Sequence, residues 1–418
     1  MITKRIILRG IWLAFSLLRQ GSAFGLSFDQ AQALALQQAP QISASSARIE
    51  AARQQAIPAG SLPDPQLALG VDNLPIQGSE SFSLGRDFMT MQRIGLSQTL
   101  PNPGKLEAQT EAASQQLALA EAESRLARLQ IQQETAVAWI NRYLIEKQLT
   151  RLDALQQENQ GFAQAAIARF AGGGPGADAL TPRQDQVLLE ERRDELQTRL
   201  GQAVVQLKRW VGDQAGQMLI GAPPEFPISA RELSHGLHQH PELDVFEPKT
   251  KLLSAEARAA EAGKIPDFGV QLAYQHRGPA FGDMVSFQVS VDLPIFTDTR
   301  KEPLVAAKLA ERAAVADQRK AALLEHQSML ESDLAEHQRL QRAIQRHREQ
   351  LTPLARQKAQ LALADWQNRQ GELSAVFNAR REYLETELKT LDLENQRLQL
   401  AARLHYNYSR ETLPEAGQ

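Results

Sequence analysis

The sequence predicts a mainly α-helical fold with a small β part: a duplicated unit of long antiparallel coiled-coil helices and β-hairpins, with four strands per protomer forming a twelve-stranded β-barrel in a trimer. Three observations predict it. The chain repeats itself, each repeat holds one stretch of period-two alternation, and each then continues through a very long run of helix-forming residues.

The repeat is read from three matches. Leu26 to Ile42 (LSFDQAQALALQQAPQI) aligns with Pro227 to Leu243 (PISARELSHGLHQHPEL), placing Leu36 over Leu237, Pro40 over Pro241 and Ile42 over Leu243, 201 residues apart. Leu62-Pro63-Asp64 recurs as Ile265-Pro266-Asp267, where a proline-containing breaker ends a helix and opens a strand. Ser97 to Pro101 recurs as Ser290 to Pro294 at an offset of 193, the first hairpin loop being the longer. Matches in one order at the same junctions divide the chain into a first repeat, 26–226, and a second, 227–418.

Residues 1–25 have the layout of a secretory signal. Lys4, Arg5 and Arg9 give a basic start, Ile11 to Leu18 a short apolar run, and Gly21-Ser22-Ala23 small residues for cleavage after Ala23 or Gly25. An uncleaved anchor is the alternative, but the apolar run is about half the ~20 residues that a spanning helix needs. No other stretch is apolar for long enough, so a mature chain in a membrane crosses it as a barrel.

Hairpins are expected at 65–100 and 267–293. In the second, Phe268, Val270, Leu272 and Tyr274 alternate with Gly269, Gln271, Ala273 and Gln275, and Val285, Phe287, Val289, Val291 and Leu293 alternate with Ser286, Gln288, Ser290 and Asp292. The first hairpin repeats this more weakly, with Leu67, Leu69 and Val71 facing Ile94, Leu96 and Leu100 around an exposed loop at 73–89. Strands of about nine residues suit a tilted bilayer crossing, apolar outward and polar inward. A soluble sandwich would show the same alternation. Four strands cannot close a barrel of useful bore, however, and nothing further in the chain covers their apolar face; three copies give twelve strands. Phe268, Val270, Leu272, Tyr274, Val285, Phe287, Val289 and Val291 are the expected lipid-facing residues.

Helices are expected at 29–59, 104–171 and 178–211, and again at 229–264, 301–369 and 372–411. The two longest are about 68 residues, or roughly 100 Å, far beyond what a globular domain needs. A short ascending and a short return helix together match one long rod, which is a way to build a tube wall. Leu384, Leu391 and Leu398, interleaved with Leu388, Asn395 and Ala402, keep a heptad, and Ile344, Leu351, Leu354 and Leu361 form a comparable stripe.

Composition removes other classes. A formal charge of −3 gives no basic field for nucleic acid, and the chain has no cysteine for disulfides, thiolate metal sites, a nucleophile or an N-terminal lipid. Gly104-Lys105 and Gly172 to Gly176 lack phosphate-loop spacing, and no GxSxG or HExxH occurs, so no enzyme and no cofactor is expected. His235, His238 and His240 lie close in sequence without an acidic or thiol pattern to complete a ligand set. His326, His337 and His347 are spaced about three helical turns apart, roughly 15 Å per step, so no metal site is expected.

Helix, hairpin, long helix and return helix, twice over, resembles the TolC-type outer-membrane efflux factors across the whole mature chain. The local signature is the turn between long and return helices. The second repeat carries WQNRQGELSAVFNARRE, with Trp366, Gly371, Leu373, Ser374, Val376 and Arg380; the first carries ARFAGGGPGADALTPRQ, with Arg169, Phe170, Gly174, Ala177 and Leu180, its glycine run and Pro182 departing from the usual pattern. The resemblance implies a homotrimer with a barrel in outer-membrane lipid and a periplasmic tunnel. At its tip these turns would dock an adaptor (a membrane fusion protein) serving an inner-membrane resistance-nodulation-division pump. Asp178 and Glu372 beside the turns would form acidic rings at a pore constriction, or serve as helix-start caps. LPDPQLALGVDNLP at Leu62 and LPNPGK at Leu100 resemble the heavy-metal branch, implying passive export of cations such as copper, silver, cobalt, zinc or cadmium. The alternatives are a duct for drugs or other small organic molecules, and a periplasmic coiled-coil adaptor or scaffold.

Overall fold

The structure, a computed structural model, describes residues 25–171 and 176–409. Two helices open the chain, α1 (Phe28–Gln38) and α2 (Pro40–Ala56). Ser27 starts α1 with a capping box: its hydroxyl accepts the Gln30 amide while the Gln30 side chain accepts the amide of Ser27. The single helix expected over 29–59 is instead broken at Ala39, whose ψ of 120° is the extended conformation that the following Pro40 imposes. The second repeat breaks at the equivalent place. His240, before Pro241, has ψ 130°, so the helix expected over 229–264 divides into α5 (Ala230–Gly236), a 3-10 turn, α6 (Pro241–Asp244) and α7 (Phe246–Ala262).

Strands β1 (Gln66–Asp72) and β2 (Met91–Leu100) follow α2, and β3 (Phe268–His276) and β4 (Met284–Val291) follow α7. They form one antiparallel sheet in the order β1-β2-β3-β4. Its middle pair joins the two repeats, with Leu96 opposite Leu272 and Ile94 opposite Tyr274. The hairpin loops meet at Gly278, which has φ +94° and whose added Cβ would fall 2.7 Å from the Gly85 carbonyl oxygen.

After β2 come α3 (Pro103–Ala171) and α4 (Gly176–Val211). After β4 come α8 (Thr297–Arg300), α9 (Glu302–Arg346), a π turn at His347–Leu351, α10 (Thr352–Gln367) and α11 (Leu373–Tyr408). α4 returns along α3, α11 packs on α9, α10 and α3, and α7 touches both α3 and α9. On α11, Leu384, Leu388, Leu398, Asn395 and Ala402 of the heptad are buried and Leu391 is half-buried. Buried Asn395 donates to the Asn141 side chain of α3 at 2.9 Å, a polar pair that fixes the register of the two helices. The stripe expected on the partner rod is only partly inward: Ile344 is buried, but Leu351, Leu354 and Leu361 are exposed. The π turn begins after Ile344 and ends at Leu351, and its extra residue rotates every later side chain about the helix axis.

The largest core lies where both chain halves converge. Trp139 of α3 is wholly buried, its ring stacked on Tyr143 at 5.3 Å and edge-on to Phe28 at 5.6 Å, and its indole N–H donates to the Leu26 carbonyl at 3.3 Å. Leu26 also bridges to Leu219, tying the start of the chain to the segment after α4. No helix among the described residues is long and apolar enough to cross a membrane.

Candidate functional site

Alternation along each strand and direct antiparallel pairing put like residues on one face of the sheet. Phe268 pairs with Val291, Val270 with Val289, Leu272 with Phe287 and Tyr274 with Val285, and the stripe continues through Ile94 and Leu96 to Leu67, Leu69 and Val71. This face is open: Phe287 is 69% exposed, Val289 53% and Leu69 71%. Val270 alone of the eight residues expected there is half-buried. The opposite face carries small and polar groups, including an ion pair between Arg93 and Asp72 at 3.4 Å and a hydrogen bond from Ser286 to Gln275 at 2.9 Å. Among the described residues no strand lies outside β1 or β4, so the sheet has two unpaired edges as well as an uncovered apolar face.

The joint between sheet and rods uses the two repeated breakers together. Asp267, before β3, accepts the Asn102 backbone amide at 2.9 Å and the Lys105 ammonium at 2.8 Å, while buried Asn102 donates to the Ala262 carbonyl at 2.9 Å. Thus LPNPGK of one repeat locks onto IPDF of the other. Local spacing does not show this, because the partners stand 162 residues apart.

At the tip, the second turn is built around its own small core of Trp366, Leu373, Val376 and Phe377. Trp366, Leu373 and Val376 are therefore interior props of the turn, and its exposed side chains are Asn368, Arg369, Gln370 and Glu372. Arg369 takes the left-handed conformation, with φ 62°. Gly371 serves close approach: an added Cβ would lie 3.2 Å from the Cβ of Asp365, whose carbonyl accepts the amides of Gln370 and Gly371. Glu372 is the N-cap residue of α11, and its carboxylate accepts the Ser374 hydroxyl at 3.1 Å. In the first turn, Gly174 lies outside the described residues, as do the side chains of Arg169, Phe170, Ala177 and Asp178; Leu180 on α4 is exposed.

Behind the tip a polar network ties the two hairpins together. Arg380 of α11 pairs with Glu158 of α3, donates to Asn159 at 3.0 Å and lies over the Phe162 ring at 4.5 Å. Asn159 donates to Asp185 of α4 at 2.6 Å, and Arg381 stands 3.5 Å from the same carboxylate. Burial pushes the Asp185 carboxyl above the ordinary carboxylate range, against the pull of Arg381, Asn159 and Arg380. A carboxyl raised on folding favours the folded state at pH below the ordinary carboxylate range, and that advantage is lost as pH rises through the folded value. Thermal unfolding followed at pH values on both sides of that range should therefore contain a contribution that Asp185→Asn removes. An identical pH profile in the variant would mean that folding does not shift the Asp185 carboxyl.

A second polar cluster joins residues that the sequence spacing separates. His240 ends the 3-10 turn before α6, Glu242 lies within α6, and His326 comes from the middle of α9. Their ring-nitrogen and carboxylate atoms lie within 4.8 Å of one another. His326 Nε2 is 3.0 Å from Glu242 Oε2, His326 Nδ1 is 3.1 Å from the Tyr408 hydroxyl, and the two imidazole centres are 4.1 Å apart. The Glu242 amide donates to His240 Nδ1 at 3.2 Å. Burial, then the neighbouring His326, lowers the His240 pKa to about 4 against the opposing effect of a hydrogen bond that the ring donates to the Asn407 side chain, so the ring is neutral at neutral pH. Both histidines are buried. Packing of α9 on the α5–α6 segment brings His326 to His240 and Glu242, and local spacing carries no signal of His326.

No protein-family model matches the chain, and no curated protein matches it. Solved structures do. A membrane protein from Pseudomonas aeruginosa superposes with a TM-score of 0.78 at 18% identity, over 91% of this chain and 90% of that one. CusC, studied for the conformational changes accompanying folding and transmembrane channel formation, gives 0.76 at 17% identity over 92% and 93%. The outer membrane protein VceC from Vibrio cholerae gives 0.75 at 20% identity over 91% and 96%. At such identities the likeness is one of fold alone, shared with these outer-membrane and channel-forming proteins along nearly the whole of each chain.

Proposed function

We propose that the chain is the outer-membrane channel of a tripartite efflux system: a passive homotrimeric duct whose twelve strands close a barrel in lipid and whose helices line a periplasmic tunnel. The observation that carries this reading is the sheet, with its uncovered apolar face and two free edges. In water such a face and such edges would drive aggregation, whereas lipid covers the face and neighbouring copies complete the ladder. The exposed Leu351, Leu354 and Leu361 add an apolar seam on the rod for the next copy. The channel fold shared with CusC and VceC supports the same role. A periplasmic adaptor serving an inner-membrane pump would dock at the tip turns, on the exposed Arg369, Gln370 and Glu372. Heavy-metal cations are the proposed cargo, on the likeness of the Leu62 and Leu100 segments to that branch.

The repeat supplies the contact between copies. Moving β2 onto β4 by 193 residues and β3 onto β1 by 203, the displacement from Leu62 to Ile265, converts the internal pair Leu96 with Leu272 into Val289 of one copy with Leu69 of the next. Ile94 with Tyr274 becomes Phe287 with Val71 in the same way. Directly opposed antiparallel residues stand roughly 4.5 to 5.5 Å apart at Cα, within disulfide reach. The chain has no cysteine, so Leu69→Cys with Val289→Cys is a clean probe. Oxidation of membranes should give a covalent trimer with the double variant and only monomer with either single one. A double variant that stays monomeric after oxidation would refute this assembly.

A further inference from the structure

We propose that His240, Glu242 and His326 form a resident binding site for one divalent transition-metal ion of the zinc type in each chain. Two imidazoles and one carboxylate are a borderline donor set that suits such ions, leaving a further position for water. The donors lie within 4.8 Å of one another. Around a tetrahedral ion with bonds of roughly 2.0–2.2 Å they would stand about 3.5 Å apart. Glu242 Oε2 already stands 3.0 Å from His326 Nε2, and the Glu242 side chain, 46% exposed, is able to turn as an ion enters between them. His326 Nε2 faces the carboxylate while Nδ1 meets the Tyr408 hydroxyl, the outer contact that orients an imidazole toward a metal. Solvent reaches the site on the Glu242 side, which gives the ion an entry path.

The duplication shows that the fold does not require these residues. Ala39 and Gln41 occupy the positions of His240 and Glu242 in the first repeat, where the same break before a proline is made without a ligand. In the second repeat an ion would pin α6 to α9 and, through Tyr408, to the end of α11, stapling segments more than 80 residues apart. This is a structural ion held beside the rods, and it stands whether or not the duct reading does.

The test uses full-length, tag-free protein in detergent, stripped with a chelator and titrated with Zn²⁺ by calorimetry and with Co²⁺ by visible absorption. The expected result is one ion per chain, d–d bands of a nitrogen- and oxygen-ligated site, and a rise in thermal midpoint on Zn²⁺ addition. Glu242→Gln and His326→Gln should each weaken Zn²⁺ binding by about 100-fold and abolish the thermal shift, while a His235→Asn/His238→Asn variant, altered only at exposed imidazoles, should bind as the parent does. Should His326→Gln fail to fold, Glu242→Gln at its half-exposed position carries the test alone. Absence of stoichiometric binding in the parent, or binding that survives Glu242→Gln, overturns the site.

Discussion

Phe287→Arg should abolish the detergent-stable oligomer, while Gln288→Arg one residue away should leave it assembled. The side chains at 287 and 288 point to opposite faces of β4, so the two variants add the same charge to the same strand in different surroundings. Phe287 lies on the uncovered apolar face, and an arginine near the midplane of a barrel's lipid side costs about 2–4 kcal/mol per copy. A closed trimer multiplies that three times. The arginine at 288 would face a water-filled lumen, where it should alter ion selectivity and little else. Extraction from outer-membrane fractions, native electrophoresis and single-channel conductance in planar bilayers read both outcomes. Equal behaviour of the two variants would mean that the apolar face does not meet lipid.

Trp139→Ala should lower stability by about 3–5 kcal/mol, the range for removing a fully buried large aromatic. The ring is held on two sides by Phe28 and Tyr143, and its N–H holds the Leu26 carbonyl, so truncation opens a cavity and removes one of the two donors to that carbonyl, the other being the Ile220 amide. Trp139→Phe keeps most of the ring volume and should lose less than half as much. Thermal unfolding of the detergent-solubilised protein, followed by circular dichroism, would rank parent, Phe and Ala in that order. A Phe variant as unstable as the Ala variant would assign the loss to the hydrogen bond rather than to packing.

The strands could be read from the chain because their signal is local: alternation at Val285, Phe287, Val289 and Val291 fixes both the conformation and the face. The rods were equally visible, since helix-forming composition persists through all of α3. The helix breaks before Pro40 and Pro241 were also in reach, because a residue preceding proline leaves the helical region whatever surrounds it. Leu351 could not be placed by counting, for a π turn changes the count and has no composition of its own. At the tip, Arg369 adopts the left-handed conformation while Gly371 makes room for the helix end. The Asp267 joint, the Arg380 network and the His240 cluster share one property. Each is made by residues distant in sequence, which only tertiary packing brings together.

The central pairing of β2 with β3 has a consequence for how the molecule is made. Leu96 and Leu272 sit side by side, yet the polypeptide between them includes the whole of α3 and α4. The first ribbon emerges with its inner border bare and stays so until the second ribbon follows, because closing a loop of that length is slow. Throughout that interval a greasy strand pair is open to adhesion with any similar chain nearby. Formation of the sheet is therefore ordered in time: the first ribbon must wait until β3 and β4 have followed it, whereas the rods after β4 are not needed for the ladder.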